Sequence, residues 1–196
     1  HYFVGVSTAP ISLPPNSEIQ PQLAIERLKH AATLDVLIDP SYKRGNLLRF
    51  QVDIKNTGCG HYLPTGLTEM RQMWLTVSVV DAEDKIIYQS GKVDDKGGID
   101  TNAIIYNTVF GDEEGNPTLH VWKATHIISD NRVPPKGQKE ERFVCLIPAD
   151  AKSPIKIKTV LHYRSAPQEV ADALLKEKSI KLPIIDMVEI TKEVNL

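Results

Sequence analysis

Short segments in which apolar and polar residues alternate recur along this chain, and they constrain its fold more than any other feature. In residues 155–164, Ile155, Ile157, Thr159, Leu161 and Tyr163 alternate with Lys, His and Arg side chains. In residues 49–55, Phe, Val and Ile alternate with charged residues and Gln. Because successive side chains of a β-strand point to opposite faces, both segments indicate half-buried antiparallel strands.

Further segments of similar length are rich in β-branched and aromatic residues and are separated by turns containing Gly, Pro, Asn and Asp. The sequence predicts strands at residues 23–38, 49–55, 73–80, 86–88, 103–110, 118–128, 139–147 and 155–163. About eight short strands with turn signals between them indicate an all-β fold, an immunoglobulin-like antiparallel β-sandwich.

One segment has a helical pattern, with Ser165 as the predicted N-cap of a short helix over residues 166–176. Residues 10–22 contain four prolines and predict an extended connector. The expected organisation is therefore a Pro-rich N-terminal connector (1–22), a β-sandwich domain (23–164), and a C-terminal helix and tail that pack on the sandwich (165–196).

Composition excludes some partners. A chain of 196 residues with a net charge of -2 and a pI near 6.3 gives no reason to expect nucleic-acid binding. No apolar stretch approaches the roughly 20 residues that cross a bilayer, and no signal peptide is visible. Because the chain begins at His1 without Met, we expect a processed form or a fragment.

The two cysteines, Cys59 and Cys145, leave two alternatives open. They could form one disulfide in an exported protein. Alternatively both are unpaired thiols, with Cys145 an apolar core residue within the segment Phe-Val-Cys-Leu-Ile.

The segment between Asn56 and Gly66 is the first candidate for a functional site. It contains three glycines, which allow unusual backbone shapes, and Pro64, which restricts one dihedral angle. Its side chain with the most chemistry is His61. An imidazole held in a rigid loop suits a ligand role, whereas a hydrogen bond to a local carbonyl would make it architectural. Both interpretations remain open.

The other chemical signals are weaker. His120 and His126 fall in one predicted strand about 20 Å apart, so they cannot share an ion. His162 lies at an outward-facing position of its strand, so we expect its side chain to be solvated. The acidic segments 94–100 and 112–114 could hold Ca²⁺, but they lack EF-hand spacing, and solvated turns are favoured. No nucleophile elbow or phosphate-binding loop is present.

Several segments, taken in order, resemble one protein family. They are His1-Tyr2-Phe3-Val4-Gly5, the GHYLPTG run at 60–66 with 69–75 after it, Ser90-Gly91, 112–117, 130–135 and 163–168. This set is similar to the haem-free, C-terminal β-domain of multihaem c-type cytochromes, in which an HxFxG segment follows the last CxxCH.

The resemblance implies an exported electron-transfer protein, periplasmic or at the cell surface, whose partners are a multihaem region or cytochrome subunit and redox proteins. It makes His1 the first and His61 the second candidate for an axial haem ligand. Because this chain contains no CxxCH, its haem c would come from an upstream region or another chain. The resemblance leaves open whether the protein forms an oligomer.

Two other functions compete with electron transfer. An immunoglobulin-like module for binding or assembly would explain the sandwich without a redox role. An enzyme built from distant residues would need a constellation that the sequence does not reveal, so we expect no catalysis by this chain, although it could belong to a larger oxidoreductase.

Overall fold

The structure is a computed structural model and describes residues 19–196, in which antiparallel strands are the main regular structure. The strands are β1 (Thr33–Ile38), β2 (Leu47–Lys55), β3 (Gln72–Val80), β4 (Ile86–Ser90), β5 (Ile104–Tyr106), β6 (Thr108–Gly111), β7 (Pro117–Thr118), β8 (His126–Asp130), β9 (Gln138–Leu146), β10 (Ile155–Arg164) and β11 (Ile185–Val194). The helices are α1 (Ile19–Lys29) and α2 (Gln168–Leu175), with 3-10 turns at Val121–Lys123 and Lys176–Lys178.

The strands form three open antiparallel sheets, which confirms the predicted all-β sandwich. One sheet has the order β1-β2-β9, and the second has the order β11-β10-β3-β4 with β5 also paired to β3. A small third sheet has the order β7-β6-β8. The first two sheets enclose the core. The third sheet shares no strand with them.

The core consists of the inward-facing residues of the two larger sheets. Ile155, Ile157, Thr159, Leu161 and Tyr163 are all buried, as their alternation predicted. Rings from both sheets meet inside. Phe50 and Phe143 stack with centroids 5.2 Å apart, and Tyr88 meets Phe143 edge-on at 6.1 Å. Such aromatic contacts add to the free energy of apolar burial.

The predicted strand at 23–38 was wrong in its first half. Residues 19–29 form α1, and only Thr33–Ile38 form a strand. Ala24, Leu28 and Ala31 are buried at a spacing of four and three, which is a helical period and not an alternating one. The helix therefore packs on the sandwich with one narrow apolar face.

Three other predictions of secondary structure need correction. The predicted strand at 103–110 is divided between β5 and β6, which pair with different sheets. The predicted strand at 118–128 is interrupted by a 3-10 turn, so His120 precedes that turn and only His126 lies in β8. The segment after α2 contains β11, which pairs with β10 along ten residues of chain.

The C-terminal helix is present but begins later than predicted. Its first residue is Gln168 and its N-cap is Pro167, so Ser165 is not the cap. Gln168 is buried and its side chain holds the chain that follows the helix: its amide donates to the carbonyl of Ile180, and its oxygen accepts from the Leu182 N–H. No helix among the described residues has the length and hydropathy needed to cross a membrane.

Candidate functional site: the His61 loop and its cleft

The loop between β2 and β3 is held from inside by the side chain of Asn56, which is buried. Its amide donates to the His61 carbonyl at 2.7 Å, and its oxygen accepts from the Cys59 N–H at 3.1 Å. Asn favours such local bonds because its short side chain reaches nearby backbone groups. A single asparagine therefore sets the path of the chain as far as His61, and sequence analysis assigned it no role.

Gly58 attaches the same loop to the C-terminal end of α1. Its N–H donates to the Ala31 carbonyl at 3.1 Å. A Cβ built on Gly58 would lie 2.0 Å from the His30 carbonyl oxygen, so only glycine fits this approach. The loop and α1 are therefore in direct backbone contact, and His30 and His61 are brought to the same end of the sandwich.

The far end of the loop is attached to the segment that follows β8. Leu63 and Val133 exchange backbone hydrogen bonds of 2.9 and 2.8 Å as an isolated bridge. The guanidinium of Arg132 lies 4.8 Å from the centre of the Tyr62 ring, a cation–π contact. With Asn56 and Gly58, these contacts hold the loop on three sides.

The ring of His61 is exposed at the surface of this loop, and its Nδ1 lies 2.9 Å from the Tyr62 carbonyl oxygen. A carbonyl oxygen can only accept, so Nδ1 carries the proton. In the neutral imidazole this leaves the lone pair on Nε2. The two interpretations of His61 are therefore compatible, because the bond to a local carbonyl fixes the tautomer that a metal-binding Nε2 requires.

A cleft of about 550 Å³ lies between α1 and the loop. His61 lines it from the loop, Arg27 lines it from the last turn of α1, and His30 lines it from the turn directly after that helix. His30 was not singled out as a ligand from the sequence, yet its Nδ1 lies 2.7 Å from the Glu26 carbonyl oxygen. Because this carbonyl oxygen can only accept, the Nδ1 of His30 also carries the proton, and the lone pair of the neutral ring lies on Nε2. The cleft thus has two imidazoles whose Nε2 atoms can accept a proton or a metal.

The floor of the cleft is apolar apart from one phenol. Met73, Met187 and Tyr163 line it, and all three side chains are buried. Burial raises the pKa of Tyr163 to about 12, so its hydroxyl stays protonated at neutral pH. Among the described residues, neither this hydroxyl nor the buried Nε of Arg71 has a hydrogen-bond partner. Burying these two donors without a partner costs free energy unless water or another acceptor reaches them.

The remaining candidate histidines are not part of this cleft. His1 lies outside the described residues. His126 is exposed in β8, and exposed His120 lies against the ring of Trp122.

His162 is not solvated, contrary to the prediction. Only 15% of its side chain is exposed, its ring stacks on Trp74 at 5.0 Å, and its Nδ1 contacts Asp186 at 2.7 Å. Burial lowers its pKa, although Asp186 acts in the opposite direction.

The two cysteines are not bonded to each other. Cys59 lies half-buried in the loop and lines the cleft, whereas Cys145 is buried in β9. Burial raises the pKa of both thiols, to about 11 for Cys145, so both remain protonated. The structure thus has two free thiols, and the alternative of a disulfide is wrong.

The acidic loops have a structural role. Asp94 accepts the Gly98 N–H at 2.7 Å, and Asp112 accepts the N–H groups of Glu114 and Asn116. Among residues 19–196, no group of three or more His, Cys, Asp or Glu side chains is arranged to hold a metal ion. Asp94 and Asp112 therefore stabilise the turns in which they lie.

The described fold is similar to part of a solved cytochrome. It matches a penta-haem cytochrome c552 from Thermochromatium tepidum with a TM-score of 0.64 and 19% sequence identity. The match covers 87% of this chain and 41% of that chain. No protein-family model and no curated protein matches the sequence. At this identity the likeness is one of fold, and the chain shares its fold with less than half of a multihaem cytochrome.

Proposed function

We propose that this chain is the haem-free β-domain of an electron-transfer assembly and that His61 supplies an axial ligand to a haem carried outside the described residues. The observation that carries the proposal is the geometry of His61. Its loop is fixed by Asn56 and Gly58, its Nδ1 is held by a backbone carbonyl, and its ring is exposed beside a cleft.

The residues fit a haem iron that approaches from outside. A haem with two histidine ligands supplies one-electron transfer at the iron. The role of this chain is to hold the His61 ring in one orientation and to keep its Nδ1 protonated by the bond to the Tyr62 carbonyl. Much of the cleft beside the ring is lined by apolar side chains.

The resemblance and the shared fold support the rest of the assignment. Both relate this chain to multihaem c-type cytochromes, whose haem-bearing part would be its partner. Export to the periplasm or cell surface and contact with redox proteins belong to the same proposal. His1 remains the other proposed ligand, because it lies at the HxFxG segment of the resemblance.

Ultraviolet-visible and electron paramagnetic resonance spectra of the assembled, haem-bearing protein test the ligand role. We expect His61→Ala to convert one haem from low spin to high spin, because one strong-field ligand is lost. His120→Ala, which removes an exposed histidine distant in sequence from the loop, is the matched control. If His1→Ala changes the spectrum and His61→Ala does not, the ligand is His1. Unchanged spectra in both His1→Ala and His61→Ala would exclude a ligand role for either histidine.

A second function, a binding or assembly module without a redox role, is favoured by one observation. The third sheet and its 3-10 turn expose several large apolar side chains: Leu119, Val121, Trp122, Ile127 and Ile128. Trp122 is 76% exposed, which is unusual for an indole ring. Exposed apolar surface of this kind often marks a protein contact. Normal spectra in all histidine variants, together with loss of assembly in Trp122→Ser, would favour this function.

A further inference from the structure

The charged and ionisable side chains that line the cleft are all basic or neutral. Arg27, His30 and His61 line its mouth, and no Asp or Glu among the described residues lines it. Arg27 is exposed in the last turn of α1, and no carboxylate of residues 19–196 lies within 4 Å of its guanidinium as an ion pair. The cleft therefore presents a guanidinium that is available to an anionic group.

The end of α1 does not cancel this positive charge. Carbonyl groups at a helix C-terminus carry partial negative charge. Here the Glu26 carbonyl accepts from the N–H and Nδ1 of His30, and the Ala31 carbonyl accepts from the Gly58 N–H. Because a helix C-terminus carries about half an elementary negative charge, it offsets only part of the full positive charge of Arg27.

The walls behind the mouth are apolar. Ala24, Leu28, Leu63, Pro64, Met73 and Met187 line them. A cleft of about 550 Å³ is within the range of pockets that bind small organic groups. An apolar interior with one arginine at its edge suits a flat hydrophobic group that carries a carboxylate.

We propose that the cleft receives one edge of a haem, with a haem propionate paired to Arg27. This inference rests on the proposed function, since it assigns the site at which the haem meets this chain. Arginine is suited to the contact because its planar guanidinium can donate two parallel hydrogen bonds to a carboxylate. His61 would supply the iron ligand, and Arg27 would determine which edge of the ring faces α1.

Titration of the full chain with ferric protoporphyrin IX, followed by its Soret absorption, tests this contact. We expect Arg27→Gln to weaken binding about tenfold, the loss of one charge-assisted hydrogen bond. Lys29→Gln is the matched control, because it removes the same charge from the same helical turn without lining the cleft. We expect it to change affinity by less than about twofold, as screened surface charges do.

The dimethyl ester of ferric protoporphyrin IX, which has no carboxylate, provides the second arm. It should bind more weakly than the free acid and should be insensitive to Arg27→Gln. Equal effects of the Arg27 and Lys29 variants, or equal affinities of acid and ester, would overturn the inference.

The Soret spectrum of the bound haem separates this inference from the proposed function, because a single histidine ligand changes that spectrum although it leaves the iron high-spin. If Arg27→Gln weakens binding but the Soret maximum of the bound haem is the same in the parent chain and in His61→Ala, the carboxylate contact stands and the ligand role of His61 fails. If His61→Ala shifts the Soret maximum while Arg27→Gln leaves the affinity unchanged, the ligand role stands and the carboxylate contact fails.

Discussion

Single residues determine how closely the His61 loop approaches α1. Gly58 lies against the His30 carbonyl, whereas Gly60, two residues later, has open space where its Cβ would be. The same loop thus contains one glycine required by packing and one that packing does not require. His61 lies in the same loop, three residues after Gly58. The packing of Gly58 against the His30 carbonyl therefore helps to set the position of the His61 ring.

We expect Gly58→Ala to destabilise the protein by about 1–3 kcal/mol, because an added methyl group would force the loop away from the helix backbone. Gly60→Ala should change the free energy of unfolding by less than about 0.5 kcal/mol. Denaturant unfolding of both variants measures the difference. Equal stabilities would mean that the loop is not packed on α1 as described.

At the scale of an element, β10 holds an imidazole between two neighbouring strands. His162 stacks on Trp74 of β3 and contacts Asp186 of β11. Glu189 on β11 raises its pKa and Lys158 on β10 lowers it, but burial is the largest influence and makes the net shift downward. Folding therefore disfavours the protonated ring.

This shift predicts a pH dependence of stability. The unfolded imidazole gains its proton near pH 6.5, and the folded one gains it at lower pH. Between these values the unfolded chain binds more protons, so stability falls as the pH drops below about 6.5. His162→Phe, which keeps a ring over Trp74, should remove this component.

Urea unfolding between about pH 5 and 7.5 checks the prediction. The measurement stays above about pH 5 because the aspartates with lowered pKa lose their contribution to stability only at lower pH. His120→Phe is the control and should keep the dependence of the parent chain. An unchanged profile in His162→Phe would show that this ring does not link folding to protonation.

At the scale of the whole molecule, stability comes from the interface between the two larger sheets. On β9, Phe143 is 7% exposed and meets rings from β2 and β4, whereas its neighbour Val144 is 52% exposed on the opposite face. Adjacent residues of one strand therefore differ completely in what they contribute to the fold.

We expect Phe143→Ala to cost about 3–5 kcal/mol, since it removes a buried ring and leaves a cavity between the sheets. Val144→Ala should lie within about 0.5 kcal/mol of the parent chain. Midpoints of chemical unfolding measure both. A similar loss in the two variants would contradict the packing of β9 against the second sheet.

Alternation in the sequence was sufficient to predict β2 and β10 and the inward side of each, because a strand with one buried face must place apolar residues at every second position. It was insufficient for α1. The helix buries only a narrow face, and Thr33–Ile38 directly after it favours strand, so the two elements were predicted as one. β11 was missed because its charged residues, including Glu189 and Lys192, obscure the pattern.

The sequence by itself determined that the chain is a β-sandwich and that His61 lies in a constrained loop, since both follow from local patterns of residue types. Only the tertiary structure placed His30 and Arg27 beside His61, fixed the tautomer of both imidazoles and kept the two thiols apart. The reason is physical. Residues 27–31 and 58–61 are distant in the chain, and the contact between the Gly58 backbone and the end of α1 that joins them leaves no periodic signal in the sequence.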